Sequence, residues 1–182
     1  MKLHLGCGKR YIPGFVHVDL GKFPHIDYQH DIASLPMFKK NCVDLIYSSH
    51  GIEYFDRDEV PRILKEWHRV LAKGGILRLA MPDFEALVRV YKKYNDLELI
   101  IGPLYGRWKV PGRKKMVIYH KAVYNFTSLK TLLESCGFKQ VRRYDWRKTI
   151  HKNYDDFSQS YIPHMDKDTG ILISLNVEAR KA

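Results

Sequence analysis

The sequence predicts an α/β protein built on a mostly parallel sheet with helices on both faces, and three observations carry that expectation. Short apolar runs alternate with amphipathic segments along most of the 182 residues. The first two runs are separated by a glycine turn, Gly6-Cys7-Gly8, and the second ends on a carboxylate, Asp19. The last two runs are joined without a helical pattern, which fits an antiparallel pair at the sheet edge.

Residues 2–6 and 15–19 read as the first two strands, with a short third candidate from Ile26 to His30. Val43-Asp44-Leu45-Ile46-Tyr47 is apolar and β-branched, as a buried strand should be. A helix follows, with Asp56 or Asp58 as its cap and Val60, Ile63, Leu64, Trp67, Val70 and Leu71 on one face. Gly74-Gly75 is expected to end it, and Ile76 to Met81 forms the next strand. Pro82-Asp83 breaks that strand, and Asp83 can cap a helix carrying Leu87, Val88, Tyr91 and Tyr94. Thr127 or Ser128 opens a further helix with Leu129, Leu132 and Leu133, closed by Gly137. Val141 to Trp146 and Ile171 to Ala179 are the last strands. Residues 96–121 and 147–169 have no clean period; they are expected to be lid or substrate insertions in a single domain spanning 1–182.

A chain of this length can bury a sizeable core, and no apolar run is long enough to span a bilayer. Three widely spaced cysteines, Cys7, Cys42 and Cys136, suggest reduced thiols and a cytoplasmic protein, and no cleavable signal pattern opens the chain. The net charge of +11 gathers partly in Arg107, Lys109, Arg113, Lys114 and Lys115, and again between Lys139 and Lys152. Such charge is either a solvated surface or a face for an anionic partner, nucleic acid or an acidic glycan. No HxH or HExxH spacing occurs, and no metal is expected.

Strand, glycine turn, strand, carboxylate is the order by which an open α/β sheet holds an adenosine-containing cofactor. Glycines admit the cofactor close to the backbone, and a carboxylate at the second strand end accepts from ribose hydroxyls. Asp31, in HDIASLP, can take a proton from an adenine amino group while Ile32 covers the ring. The strand at 43–47 delivers Ser48-Ser49-His50 to the same carboxyl edge of the sheet.

LHLGCG, FVHVDL, HDIASLP, VDLIYSSHGIEYF, LKEWHRVLAKGGILRLAMPD and LLESCGFKQV together resemble the successive motifs of class I S-adenosylmethionine-dependent methyltransferases. The small bacterial branch related to the type 11 methyltransferases is the nearest pattern. The resemblance implies a Rossmann-like sheet of seven strands ending in an antiparallel hairpin, with S-adenosylmethionine as cofactor. It implies that Gly6 and Gly8 face the methionine part, that Asp19 holds the ribose, and that Asp31 with Ile32 holds the adenine. Cys7, Leu20, Ser48 and His50 lie beside them. Relatives are often associated with polysaccharide and glycosyl-transfer functions, so a glycan or other small hydroxylated acceptor, methylated on oxygen, is the leading expectation.

The departures are specific. His4 stands where the family usually has an acidic residue, and Arg10 where it has a third glycine. Asp19 follows Gly6 by only thirteen positions, including Pro13 and Gly14, so the intervening helix is expected to shrink to about one turn. Lys9 or Arg10 could pair with the cofactor carboxylate in compensation. The family's leucine-glutamate-histidine appears as Ile52-Glu53-Tyr54, so that histidine's role does not transfer. His50, Asp83 and His120 are the candidates for orienting or deprotonating the acceptor; for His50 a structural hydrogen bond, and for Asp83 a helix cap, is the alternative. A nucleic-acid methyltransferase and a non-catalytic cofactor-binding partner domain are the competing readings. A nicotinamide dehydrogenase is disfavoured by Tyr11, which stands where the dinucleotide fingerprint needs glycine.

Overall fold

A computed structural model describes all of residues 1–182. The strands are β1 (Lys2–Leu5), β2 (Val16–Asp19), β3 (Tyr28–Gln29), β4 (Val43–Ser49), β5 (Leu71–Pro82), β6 (Trp108–Lys109), β7 (Val117–Ile118), β8 (Phe138–Arg143), β9 (Tyr161–Ile162), β10 (Ile171–Leu172) and β11 (Ser174–Lys181). The helices are α1 (Val60–Val70), α2 (Phe84–Tyr94), α3 (Glu98–Tyr105) and α4 (Phe126–Ser135). Seven strands form one sheet in the order β3-β2-β1-β4-β5-β11-β8, and two small hairpins, β6-β7 and β9-β10, stand apart. Neighbouring strands from β3 to β5 run parallel, and β11 lies antiparallel between β5 and β8, as the sequence predicts. The architecture is a Rossmann-like α/β fold.

Alternation along the strands assigns the two faces. Leu3, Leu5, Val18, Ile46 and Leu77 join Trp67 of α1 and Leu129 of α4 in the main core cluster. Trp67 also donates its Nε1–H to the Ile32 carbonyl at 2.8 Å, pinning the segment after β3 to α1. On the opposite face the expected helical cover is absent. Ile12 and Phe15, from the link between β1 and β2, pack there on Leu45 and Tyr47. The helix expected as one turn after the glycine turn is replaced by plain turns, because Pro13 and Gly14 leave too few residues for helical bonds. The Ile12 amide instead donates to His17 Nε2 at 3.0 Å, which ties the link to β2.

Four boundaries differ from expectation. The strand expected over Val141 to Trp146 is β8, which ends at Arg143, with Trp146 in a following 3₁₀ turn. Neither Asp56 nor Asp58 caps α1; the cap position is Glu59 without a side-chain bond, and Pro61 sits in the first turn. Gly74-Gly75 does not end that helix. It ends at Val70, and the glycines lie in a bulge of β5, where pairing jumps from Leu71 opposite Val43 to Ile76 opposite Leu45. Gly74 takes φ +75 there, a value that glycine adopts without strain. Asn125, rather than Thr127 or Ser128, caps α4, in a reciprocal box with Ser128. Residues 96–121, expected to be irregular, contain α3 and the β6-β7 hairpin.

The same sheet face, under Ile12 and Phe15, also carries a buried stack of imidazoles and phenols. His4 lies 5.2 Å from the Tyr47 ring, and Tyr47 lies 4.0 Å from His151. Burial holds His4 and His17 below the usual histidine range, and burial followed by the Arg78 charge pushes His151 down to about 3. A histidine kept neutral in the fold binds fewer protons than the unfolded chain below pH 6.5. Stability is therefore full above that pH and is lost as pH falls toward the depressed values, at about 1.4 kcal/mol per pH unit for each such ring. Urea unfolding should show equal midpoints at pH 8.5 and 7.5 and a clearly lower one at pH 5.5; equal midpoints at pH 7.5 and 5.5 would contradict this.

Candidate active site

The carboxyl ends of β1, β2 and β4 meet at the glycine turn. Gly6 (φ +65) and Gly8 (φ +53) take left-handed conformations that reverse the chain directly after β1. Asp19, buried at the end of β2, accepts the Gly8 amide on Oδ2 at 2.7 Å and the Gly21 amide on Oδ1 at 2.6 Å. Its carboxylate thus joins the glycine turn to the loop after β2, and each oxygen keeps a lone pair for another donor. Cys7 is buried between the glycines, and burial with the Asp19 charge pushes its thiol up, so it is not a reactive thiolate.

Beside this turn the backbone of the β4 exit comes close. A Cβ on Gly51 would stand 2.6 Å from Ser48 Oγ and 3.3 Å from Ile32 Cδ1, so the position takes glycine only. The same Ile32 atom lies 3.4 Å from where a Cβ on Gly6 would be. Gly6, Ile32, Ser48 and Gly51 therefore form one close-set cradle. Ser48 Oγ, Ser49 Oγ and His50 Nε2 are buried along it with no hydrogen-bond partner. Asp31 is exposed, and its Oδ1 accepts the Ala33 amide at 2.8 Å. Leu20 follows Asp19, half-buried, and Arg10 lies 5.9 Å over the Phe157 ring rather than in an ion pair.

Both insertions converge on His50. This residue takes φ +55, unusual for a side chain with a Cβ, and its amide donates to Ala80 O at 2.8 Å. Its ring lies 5.0 Å from Phe157 of the second insertion and 6.4 Å from His120 of the first. Between the imidazoles stands Glu53, fully buried, with Oε1 3.2 Å from His50 Nδ1 and 3.9 Å from His120 Nε2. Neither Glu53 oxygen has a hydrogen-bond partner. The Glu53 carbonyl accepts the amides of Lys121 and Ala122, fastening the end of the first insertion to the β4 exit. Farther along, the Lys22 amide donates to Pro111 O at 3.0 Å, so the same insertion also docks on the loop after β2.

Burial lowers the His120 imidazole below its usual range, and the nearby Glu53 charge works against that. Burial, then the same carboxylate, pushes the phenols of Tyr54 and Tyr124 up to about 12. Asp83 is placed elsewhere. Its Oδ1 accepts the Glu85 amide as the cap of α2, and its Oδ2 pairs with Arg143 at 3.1 Å. The structure brings together His50 and His120 but leaves Asp83 outside their cluster. Glu53, which the sequence analysis set aside, completes it. The signal was present as His50-x-x-Glu53, two side chains three residues apart on a single tight turn. A cavity of about 550 Å³ lies at the opposite end of β4, lined by exposed cations such as Lys40, Lys65 and Lys73, with none of these residues.

A family model described as a methyltransferase domain, type 11, matches residues 13–79, which run from the link before β2 into β5. No curated protein matches the chain in sequence. Solved structures match throughout its length. A methyltransferase from Methanosarcina mazei, S-adenosylmethionine-dependent, superposes with TM-score 0.59 at 17% identity over 99% of this chain and 91% of its own. One from Archaeoglobus fulgidus gives 0.59 at 15% identity, over 99% and 85%. One from Mesorhizobium loti gives 0.52 at 17%, over 99% and 90%. These likenesses show the fold. Over its whole length the chain has the fold of these S-adenosylmethionine-dependent methyltransferases, and over residues 13–79 it is similar to the type 11 methyltransferase domain.

Proposed function

We propose that the protein methylates an oxygen of a glycan or other small hydroxylated acceptor, and that His50, Glu53 and His120 meet the acceptor hydroxyl. The observation that carries this reading is a buried carboxylate flanked by two imidazoles, beside the glycine turn, where both insertions converge. The residues also fit the cofactor. Buried Asp19 retains acceptor capacity at the ribose position, and a Cβ on Gly51 would crowd Ser48 Oγ at 2.6 Å. Ser48, Ser49 and His50 supply unpartnered polar atoms along the cradle. In this reading Gly6, Cys7, Gly8 and Arg10 hold the methionine end, Asp19 and Leu20 the ribose, and Asp31 with Ile32 the adenine.

S-adenosylmethionine supplies an electrophilic methyl group when bound. The chain's own part is to align the acceptor oxygen, exclude water and remove its proton. Phe157 and the first insertion cover the cluster, leaving the His50 and His120 side chains 14% and 6% exposed, so water has little access. The His50 imidazole takes that proton on Nε2, and the Glu53 carboxylate 3.2 Å from its Nδ1 favours the imidazolium that forms.

A second reading rests on the five cations of the first insertion, Arg107, Lys109, Arg113, Lys114 and Lys115, which stand at the cofactor edge. They would suit a nucleic-acid acceptor. Transfer of labelled methyl from S-adenosylmethionine to a panel of polysaccharides, small polyols and RNA separates the readings. Label in an ether linkage on a hydroxylated acceptor is the expected result. Label only in RNA, or turnover by none of the panel, would overturn it.

A further inference from the structure

We infer that His50, Glu53 and His120 form a binding site for a divalent transition-metal cation, of which zinc is the representative, with coordination positions left open for an acceptor oxygen. Rings of histidine with one carboxylate suit such ions, and a site with three protein ligands keeps at least one position free. One ligand atom from each of the three residues lies within 4.8 Å of the other two. Ligands held about 2.0–2.1 Å from a tetrahedral zinc stand about 3.4 Å apart. The 3.2 Å and 3.9 Å separations from Glu53 Oε1 lie on either side of that value.

The polar bookkeeping of the site points to a cation. His120 Nδ1 stands 2.9 Å from the Pro103 carbonyl, which can only accept, so Nδ1 carries the hydrogen. In the neutral ring, Nε2 then presents a lone pair, and that lone pair faces a carboxylate. A metal-bound histidine is held in this manner, with its remote N–H donated to a backbone carbonyl. Glu53 is fully buried with no donor on either oxygen, and His50 turns Nδ1 toward it. A cation between the three groups satisfies the carboxylate and both lone pairs together.

The backbone is shaped to bring these ligands into place. A Cβ on Gly106 would sink into the His120 ring, so a glycine (φ +49) makes room for it. The strained φ of His50 turns its ring toward Glu53, and the Lys121 and Ala122 amides lock His120's segment onto the Glu53 carbonyl. This inference deepens the proposed function and rests on it for the acceptor alone. A hydroxyl held on the cation would lose its proton more readily than in water.

The test uses the full chain, treated with chelator and titrated with zinc by calorimetry, beside a titration with S-adenosylhomocysteine. One zinc per chain with micromolar or tighter affinity is expected, weakened at least about 100-fold in Glu53→Gln and in His120→Gln. Should either variant fail to fold, cobalt(II) added to the unmodified chain must give a visible absorption band that saturates at one equivalent and is displaced by zinc. No saturable uptake by the unmodified chain overturns the site, as does uptake that both folded variants retain, which would place zinc on surface histidines. S-adenosylhomocysteine binding without zinc uptake overturns the metal site and leaves the methyltransferase reading. Zinc uptake without S-adenosylhomocysteine binding supports the metal site and removes that reading.

Discussion

Replacing Glu53 with glutamine is expected to lower methyl transfer by about 10²–10⁴-fold while leaving affinity for S-adenosylhomocysteine unchanged. A thousandfold loss corresponds to about 4 kcal/mol of transition-state stabilisation. The substitution keeps the size of the side chain but removes the only negative charge between His50 and His120. The variant should also fold at least as well as the parent. A buried carboxylate with no hydrogen-bond donor is costly, and an amide costs less to bury. Single-turnover assays at saturating cofactor check the rate, and urea unfolding checks the stability. Unchanged turnover in the folded variant would remove the cluster from the reaction.

Replacing Asp19 with alanine should act on both the fold and the cofactor. Its two oxygens accept the Gly8 and Gly21 amides, and each such bond to a charged group contributes about 1.5–3 kcal/mol. Their loss frees the glycine turn from the loop after β2, so a stability loss of about 3 kcal/mol is expected, read as a lower urea midpoint. Affinity for S-adenosylhomocysteine should fall by at least about 100-fold, since the ribose acceptor and the shape of the turn are lost together. Asp31→Ala serves as the companion, because Asp31 is exposed and tied only to the Ala33 amide. It should weaken binding with little change in stability. Undiminished affinity in a folded Asp19→Ala protein would contradict the ribose assignment.

The strands and the helix faces were legible because apolar periodicity reports burial, and burial decides them. Val60, Ile63, Leu64, Trp67 and Val70 lie on the core side of α1, as their spacing requires. What spacing could not show was the competition at element ends. Glycines at 74 and 75 look like a helix stop, yet β4 pairing captures Leu71 and forces the extra residues into a bulge. Asn125 outcompetes Thr127 and Ser128 as a cap because Ser128 can return a bond to its backbone.

That Gly6, Asp19 and Ser48 share one edge was readable from their places at strand ends, since a parallel sheet carries such residues to one side. The histidine pair was harder. His50 and His120 are far apart in sequence, and only the docking of the first insertion through the Glu53 carbonyl unites them. Glu53 itself was hidden by comparison with a motif that has histidine one position later. Its pairing with His50 three residues before it was the local clue. The missing helix after the glycine turn was foreshadowed by the short link between Gly6 and Asp19, but the cover of stacked histidines and tyrosines on that face depends on contacts from distant segments such as Tyr47 with His151.

We propose that the Gly6-Cys7-Gly8 turn and Asp19 hold S-adenosylmethionine at the carboxyl edge of this sheet. Calorimetric titration of S-adenosylhomocysteine into the full chain, beside NAD, tests it most directly. Saturable one-to-one binding of S-adenosylhomocysteine, with no heat from NAD, is the predicted result. Binding of NAD in its place, or of neither, would contradict the account.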